Sequence, residues 1–138
     1  MDPTSLISCC YKTVKGIKQI REKCKDSTRT LASIERQCSI LETGVRSINN
    51  WSKSNAAGLS SEELQSLDSA IGLIQESMKA LYNDLQKVLE RKSDVPMGMG
   101  NQWATAKYVW NEELMRAHLA ELREHVILIQ FTLQVLQL

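Results

Sequence analysis

The stretch Leu64–Val88, LQSLDSAIGLIQESMKALYNDLQKV, sets apolar side chains at Leu64, Leu67, Ile71, Ile74, Met78, Leu81, Leu85 and Val88. The steps alternate between three and four residues. That spacing holds one stripe on one side of an α-helix, as knobs-into-holes packing against a partner helix requires. Working outward, the same spacing recurs upstream at Leu31, Ile34, Cys38, Leu41, Val45 and Ile48. Downstream it recurs at Met115, Leu119, Leu122, Val126, Ile129, Leu133 and Leu136. Near the N-terminus Ile7, Cys10, Val14 and Ile17 carry a broader version, widened by Leu6 and Ile20, which suits a helix touching two neighbours. The period-two alternation of a strand appears nowhere at comparable length.

Four segments, 3–24, 27–52, 61–92 and 112–138, are therefore predicted as long helices of an all-α, up-down bundle. Starts are legible at Asp2-Pro3, at Asp26 or Ser27, and at Ser60–Glu63, which fits a capping box. Asn111 precedes Glu112 and Glu113, whose charges suit the positive end of the last helix. The stretch Ser52–Leu59, holding Asn55 and Gly58, separates the second and third helices. Residues 93–102, SDVPMGMGNQ, read as a loop. Trp103–Trp110, WATAKYVW, follows as a short aromatic helical segment packed over the bundle end. Glycines at 16, 44 and 72 interrupt helical runs at a cost of about 1 kcal/mol each relative to alanine. Close helix approach inside the bundle offsets that cost. An interface exposed on rearrangement is the other reading.

The length of 138 residues fits one domain, here 1–138. The apolar last turn, with Leu133, Val135, Leu136 and Leu138 and no terminal cap, leads us to expect the N-terminal domain of a longer protein. A net charge of +1 gives no whole-domain attraction to nucleic acid, so no nucleic-acid partner is expected. The opening Met-Asp-Pro lacks the basic start of a secretory signal, and Cys9, Cys10, Cys24 and Cys38 form no CxxC pair. The expectation is a cytoplasmic chain with free thiols, recruited to the plasma membrane if activation calls for it. No apolar run reaches the ~20 residues a spanning helix needs.

Chemistry is sparse. His118 and His125 stand two turns apart, roughly 10 Å along the axis, too far to share one metal ion. Both read as partly exposed residues beside the core stripe. No phosphate-cradling loop, nucleophile elbow or paired acid motif occurs, so we expect no catalytic, cofactor-binding or metal site, no cofactor, no small-molecule substrate and no enzyme activity. Cys10, Cys24 and Cys38 fall on or beside core stripes and read as buried thiols, while Cys9 and Cys10 stand where acylation would strengthen membrane attachment. The first helix carries Lys12, Lys15, Lys18, Arg21, Lys23 and Lys25 against few acids. A basic amphipathic helix lies on anionic membranes, and a solvated bundle face has the same pattern.

The opening Met1-Asp2-Pro3-Thr4-Ser5-Leu6 with its basic helix resembles fungal N-terminal domains of STAND-type receptors. Lys107-Tyr108-Val109-Trp110 and Leu122–Leu128 are similar to the end of those domains. The resemblance implies a HeLo-like helical bundle acting in programmed cell death or heterokaryon incompatibility. Its mechanism there would be clustering followed by membrane engagement through the first helix. By position the membrane-acting element would be Ser5–Ile20, with Leu6, Ile7, Lys12, Lys15, Lys18 and Arg21 as its working residues. This first helix is less apolar than in lytic members and lacks a dense glycine zipper. A non-lytic adaptor that binds itself or another helical protein therefore stays open beside membrane action.

Overall fold

The computed structural model describes residues 3–23, 28–93 and 111–136. These form four long helices with no strand among the described residues: α1 (Pro3–Lys23), α2 (Thr28–Asn55), α3 (Ser61–Ser93) and α4 (Glu112–Val135), with a 3-10 turn at Ala56–Gly58. The aromatic segment, most of the 93–102 loop, Cys24 and the expected caps at Asp2, Asp26 and Ser27 lie outside the described residues.

The apolar stripes form one core. Ile34 and Leu41 of α2, Ile74 and Leu81 of α3, and Leu122 and Ile129 of α4 all fall in it, with Leu6, Ile17 and Ile20 from α1. The closely packed pairs are α1 with α2, α2 with α4, α1 with α3 and, more loosely, α3 with α4. Those four pairs close a ring. Consecutive helices α2 and α3 thus sit on a diagonal, joined by the short connection after Asn55.

Caps match the sequence where they are described. Ser60 Oγ accepts from the Glu63 amide at 3.1 Å, and Asn111 Oδ1 accepts from the Leu114 amide at 3.1 Å. Each satisfies a first-turn donor that has no partner within the helix. The expected break at Ser52 moves to Ala56, because α2 runs on through Asn55. The Ser52 hydroxyl donates to the Asn49 carbonyl at 3.0 Å and the Asn55 side-chain amide to the Trp51 carbonyl at 2.9 Å. Both side chains bond back to carbonyls of their own last turn, which is where residues that compete with the backbone for hydrogen bonds are tolerated in a helix.

Gly44 lies where α2 and α4 touch. A Cβ there would overlap Ile129 Cγ2, so glycine sets the spacing of this pair. At Gly16 the nearest atom to an added Cβ is Leu89 Cδ1 at 3.6 Å, an ordinary contact. Gly16 faces Leu89, and Cys9 shares a cleft with Tyr82, at the same residue offset. That offset sets Pro3 opposite the neighbourhood of Glu76. The first turns of α3 therefore pass beyond the described start of α1. Leu64 and Leu67, expected in the core seam, are accordingly half-buried, as is Leu136, which shares a groove with Leu67; Leu133, on the α2 side of α4, is half-buried too.

Candidate interaction surfaces

In α1 the helix turns its apolar side inward, with Val14 half-buried at its edge. Leu6 is 0% and Ile7 7% exposed, so two of the six membrane-acting candidates are core residues. Lys12, Lys15 and Lys18 are exposed and form a basic outer face beside Tyr11. Arg21 is half-buried and ion-paired with Glu35 of α2. The structure therefore separates these six residues: three on the surface, two inside, and one at the α1–α2 seam. Buried Thr13, at the same helix, donates to the Cys9 carbonyl at 2.7 Å and so leaves no unpaired hydroxyl.

The two acylation candidates also part company. Cys10 is fully buried, and burial pushes its thiol up to about 12. Cys9 is half-buried, and burial raises its thiol too, against a lowering hydrogen bond with Thr13. Cys38 is buried on α2, with its thiol raised well above the usual range by burial. A thiol held in its protonated form is a poor nucleophile, so these behave as small apolar groups in the native bundle.

The α3–α4 seam holds the polar contacts that sequence spacing missed. His118, expected at a partly exposed boundary, is buried, and its Nε2–H donates to Asp84 Oδ2 at 2.7 Å. His125 is half-buried as expected, with Nε2 and Ser77 Oγ sharing a hydrogen bond of 2.8 Å. Burial lowers the His125 pKa, against raising contributions from Glu121 and Glu124. Both bonds cross from α4 to α3 at matching positions, which fixes the register of the looser pair. The sequence clue was present: Asp84 and Ser77 are seven residues apart, as are His118 and His125. At the far end, the Thr30 hydroxyl bonds Glu112 and ties the start of α2 to that of α4.

Beyond His125 the seam opens into a groove of roughly 510 Å³ walled by Leu67 and Ala70 of α3 and by Leu128 and Leu136 beside α4. Glu62 and Glu63 form an acidic lip at its end. Along its α4 edge runs a ridge of Ile127, Phe131 and Val135, exposed by 66%, 63% and 63%. A second, apolar groove follows the other side of α4, between Ile40 and Gly44 of α2 and Leu133. Among the described residues no cluster of three or more His, Cys, Asp or Glu side chains is placed to hold a metal ion. Nor is any helix long and apolar enough to cross a membrane.

Set against known protein families, curated proteins and solved structures, the chain matches none. The likeness to fungal receptor domains therefore stands on the residues quoted for it.

Proposed function

We propose that this chain is a non-enzymatic helical interaction module, the signalling domain of a fungal STAND or NLR-like receptor, working by protein contact. Its four helices alternate in direction, an up-down order. The Arg21–Glu35 pair at the α1–α2 turn and the two antiparallel histidine contacts between α3 and α4 support that order. One observation carries the functional reading: the apolar side of α1 is spent on the core, whereas α4 leaves Ile127, Phe131 and Val135 in solvent. Exposed contiguous apolar surface on a folded domain marks a contact site.

Membrane engagement through α1 is the second reading, favoured by the exposed Lys12, Lys15 and Lys18. Co-sedimentation with vesicles containing phosphatidylserine distinguishes them. The interaction module stays in the supernatant at physiological ionic strength. Pelleting of the wild type that is lost when the three lysines are reversed to Glu would overturn the protein-contact reading.

A further inference from the structure

The groove between the first half of α3 and the second half of α4 has apolar walls and carboxylates at both ends. Leu67, Ala70, Leu128, Phe131 and Val135 line it, and among the described residues its charged lining is Glu62 and Glu63 alone. Glu121 and Glu124 mark the other end. Both are exposed, and both lie near enough to His125 to oppose the lowering of its pKa by burial. His125 in turn bonds Ser77 across the seam. Residues seven apart share a helix face, so Glu121 stands with Leu128 and Glu124 with Phe131. Arg116 and Arg123 fall about half a turn round α4 from His125 and so face away from α3. From Ser61 to Ser77, α3 carries Glu62, Glu63, Asp68 and Glu76 and no Lys or Arg. Glu63 precedes Ser77 by fourteen residues, which sets the two acidic ends roughly 21 Å apart by the rise of an α-helix.

Building on the reading of the chain as an interaction module, we propose that this groove binds a cationic amphipathic helix of another protein. The fitting helix is about four turns long, with an apolar stripe between basic residues at its two ends. A trough between two packed helices takes a third helix laid down on its apolar face. Charge then chooses the partner. Carboxylates at both ends of an apolar trough attract Lys or Arg there and fix the register of the bound helix. A second copy of the chain brings the same carboxylates, which repel across a two-fold axis. The basic outer face of α1 is no substitute, because Leu6, Ile7 and Ile17 of that helix are in the core. An anionic bilayer meets the same repulsion as a second copy.

Fluorescence anisotropy tests this with a fluorescein-labelled peptide of about 18 residues, long enough to pass both acidic ends as a helix. The peptide carries leucines at three-four steps and paired lysines at each terminus, and a control peptide has glutamates in place of the lysines. The lysine peptide binds saturably in the micromolar range, and the glutamate peptide does not. Glu62→Gln with Glu63→Gln, and separately Glu121→Gln with Glu124→Gln, each weaken binding roughly fivefold, the scale of two exposed ion pairs. Phe131→Ser weakens it at least as much, with unchanged helical circular dichroism because Phe131 is exposed. No saturable binding, equal binding of the glutamate peptide, or full affinity in any of the three variants overturns the proposal. A wild type that is dimeric without peptide and monomeric as Phe131→Ser gives the groove to a second copy and overturns it too. Vesicle binding that is lost in Phe131→Ser gives the groove to lipid, with the same consequence. The module reading fails separately: lysine-dependent pelleting with phosphatidylserine vesicles beside intact peptide binding sinks it and leaves the groove in place. A chain that ignores vesicles and peptide alike sinks the groove and leaves the interaction module standing.

Discussion

Gly44 and Gly16 look alike in the sequence, each a glycine within a helical run, yet their neighbours assign them opposite roles. At Gly44 an added Cβ meets a β-branched side chain, Ile129, that has no free rotation with which to yield. Gly44→Ala is expected to destabilise by about 1–3 kcal/mol from overpacking, less the gain in helix propensity. Gly16→Ala meets only ordinary contact and is expected to stabilise by up to about 1 kcal/mol. Urea unfolding of the two variants checks the pair, and a stabilising Gly44→Ala would refute the close α2–α4 approach. His125 gives a pH-dependent counterpart. Burial lowers its folded pKa, so the unfolded chain takes up the proton first as pH falls. Its contribution to stability is whole above the unfolded value of roughly 6.5, declines below it, and levels off beneath the lower folded value. The urea midpoint of the wild type should therefore fall more steeply below that pH than that of His125→Gln. Equal slopes would exclude the linkage.

The elements were legible because the three-four spacing is a property of the chain itself. Leu31–Ile48 and Met115–Ile129 became buried stripes at the positions their period assigned. Two features were not legible, for a common reason. The end of α2 lies past Ser52, with Ser52 and Asn55 bonded back into their own helix, a local outcome that composition does not reveal. The half-burial of Leu64 and Leu67 follows from where α1 starts relative to α3, a long-range offset that no single helix encodes. The α1 candidates fared similarly: periodicity placed Leu6 and Ile7 on one side and the lysines on another, without saying which side the bundle takes. A graded cost follows along α3 and α4. Leu81→Ala and Leu122→Ala, fully inside the core, are expected to cost about 2–5 kcal/mol each. Leu67→Ala, on the groove wall, should cost clearly less because its neighbours already face solvent. Equilibrium unfolding of the three variants measures this, and equal losses would contradict the open end of the seam.

At the scale of the whole molecule, the closed bundle constrains what α1 can do. Freeing it would expose Leu6, Ile7, Ile17 and Ile20, each buried in the core. Burying one such side chain is worth about 1.5–3 kcal/mol, so the four together hold roughly 6–12 kcal/mol. A domain's entire stability is about 5–15 kcal/mol. Release of α1 is thus nearly equivalent to unfolding, and the native bundle offers a membrane its lysines but not its apolar side. The lysines themselves contribute little to the fold, since exposed charges typically contribute under about 1 kcal/mol each. Reversing Lys12, Lys15 and Lys18 to Glu should therefore leave the melting temperature within a few degrees of the wild type, by the usual scaling of small stability changes. Dye leakage from phosphatidylserine vesicles, followed against urea, then reports the opening of α1 directly. Leakage should be absent while the helical circular dichroism is native, and should rise only along the unfolding transition. Leakage without denaturant, with the circular dichroism unchanged, would mean that α1 leaves a bundle that otherwise stays folded. The burial of Leu6 and Ile7 would then be a latch on a membrane-acting helix rather than part of a permanent core.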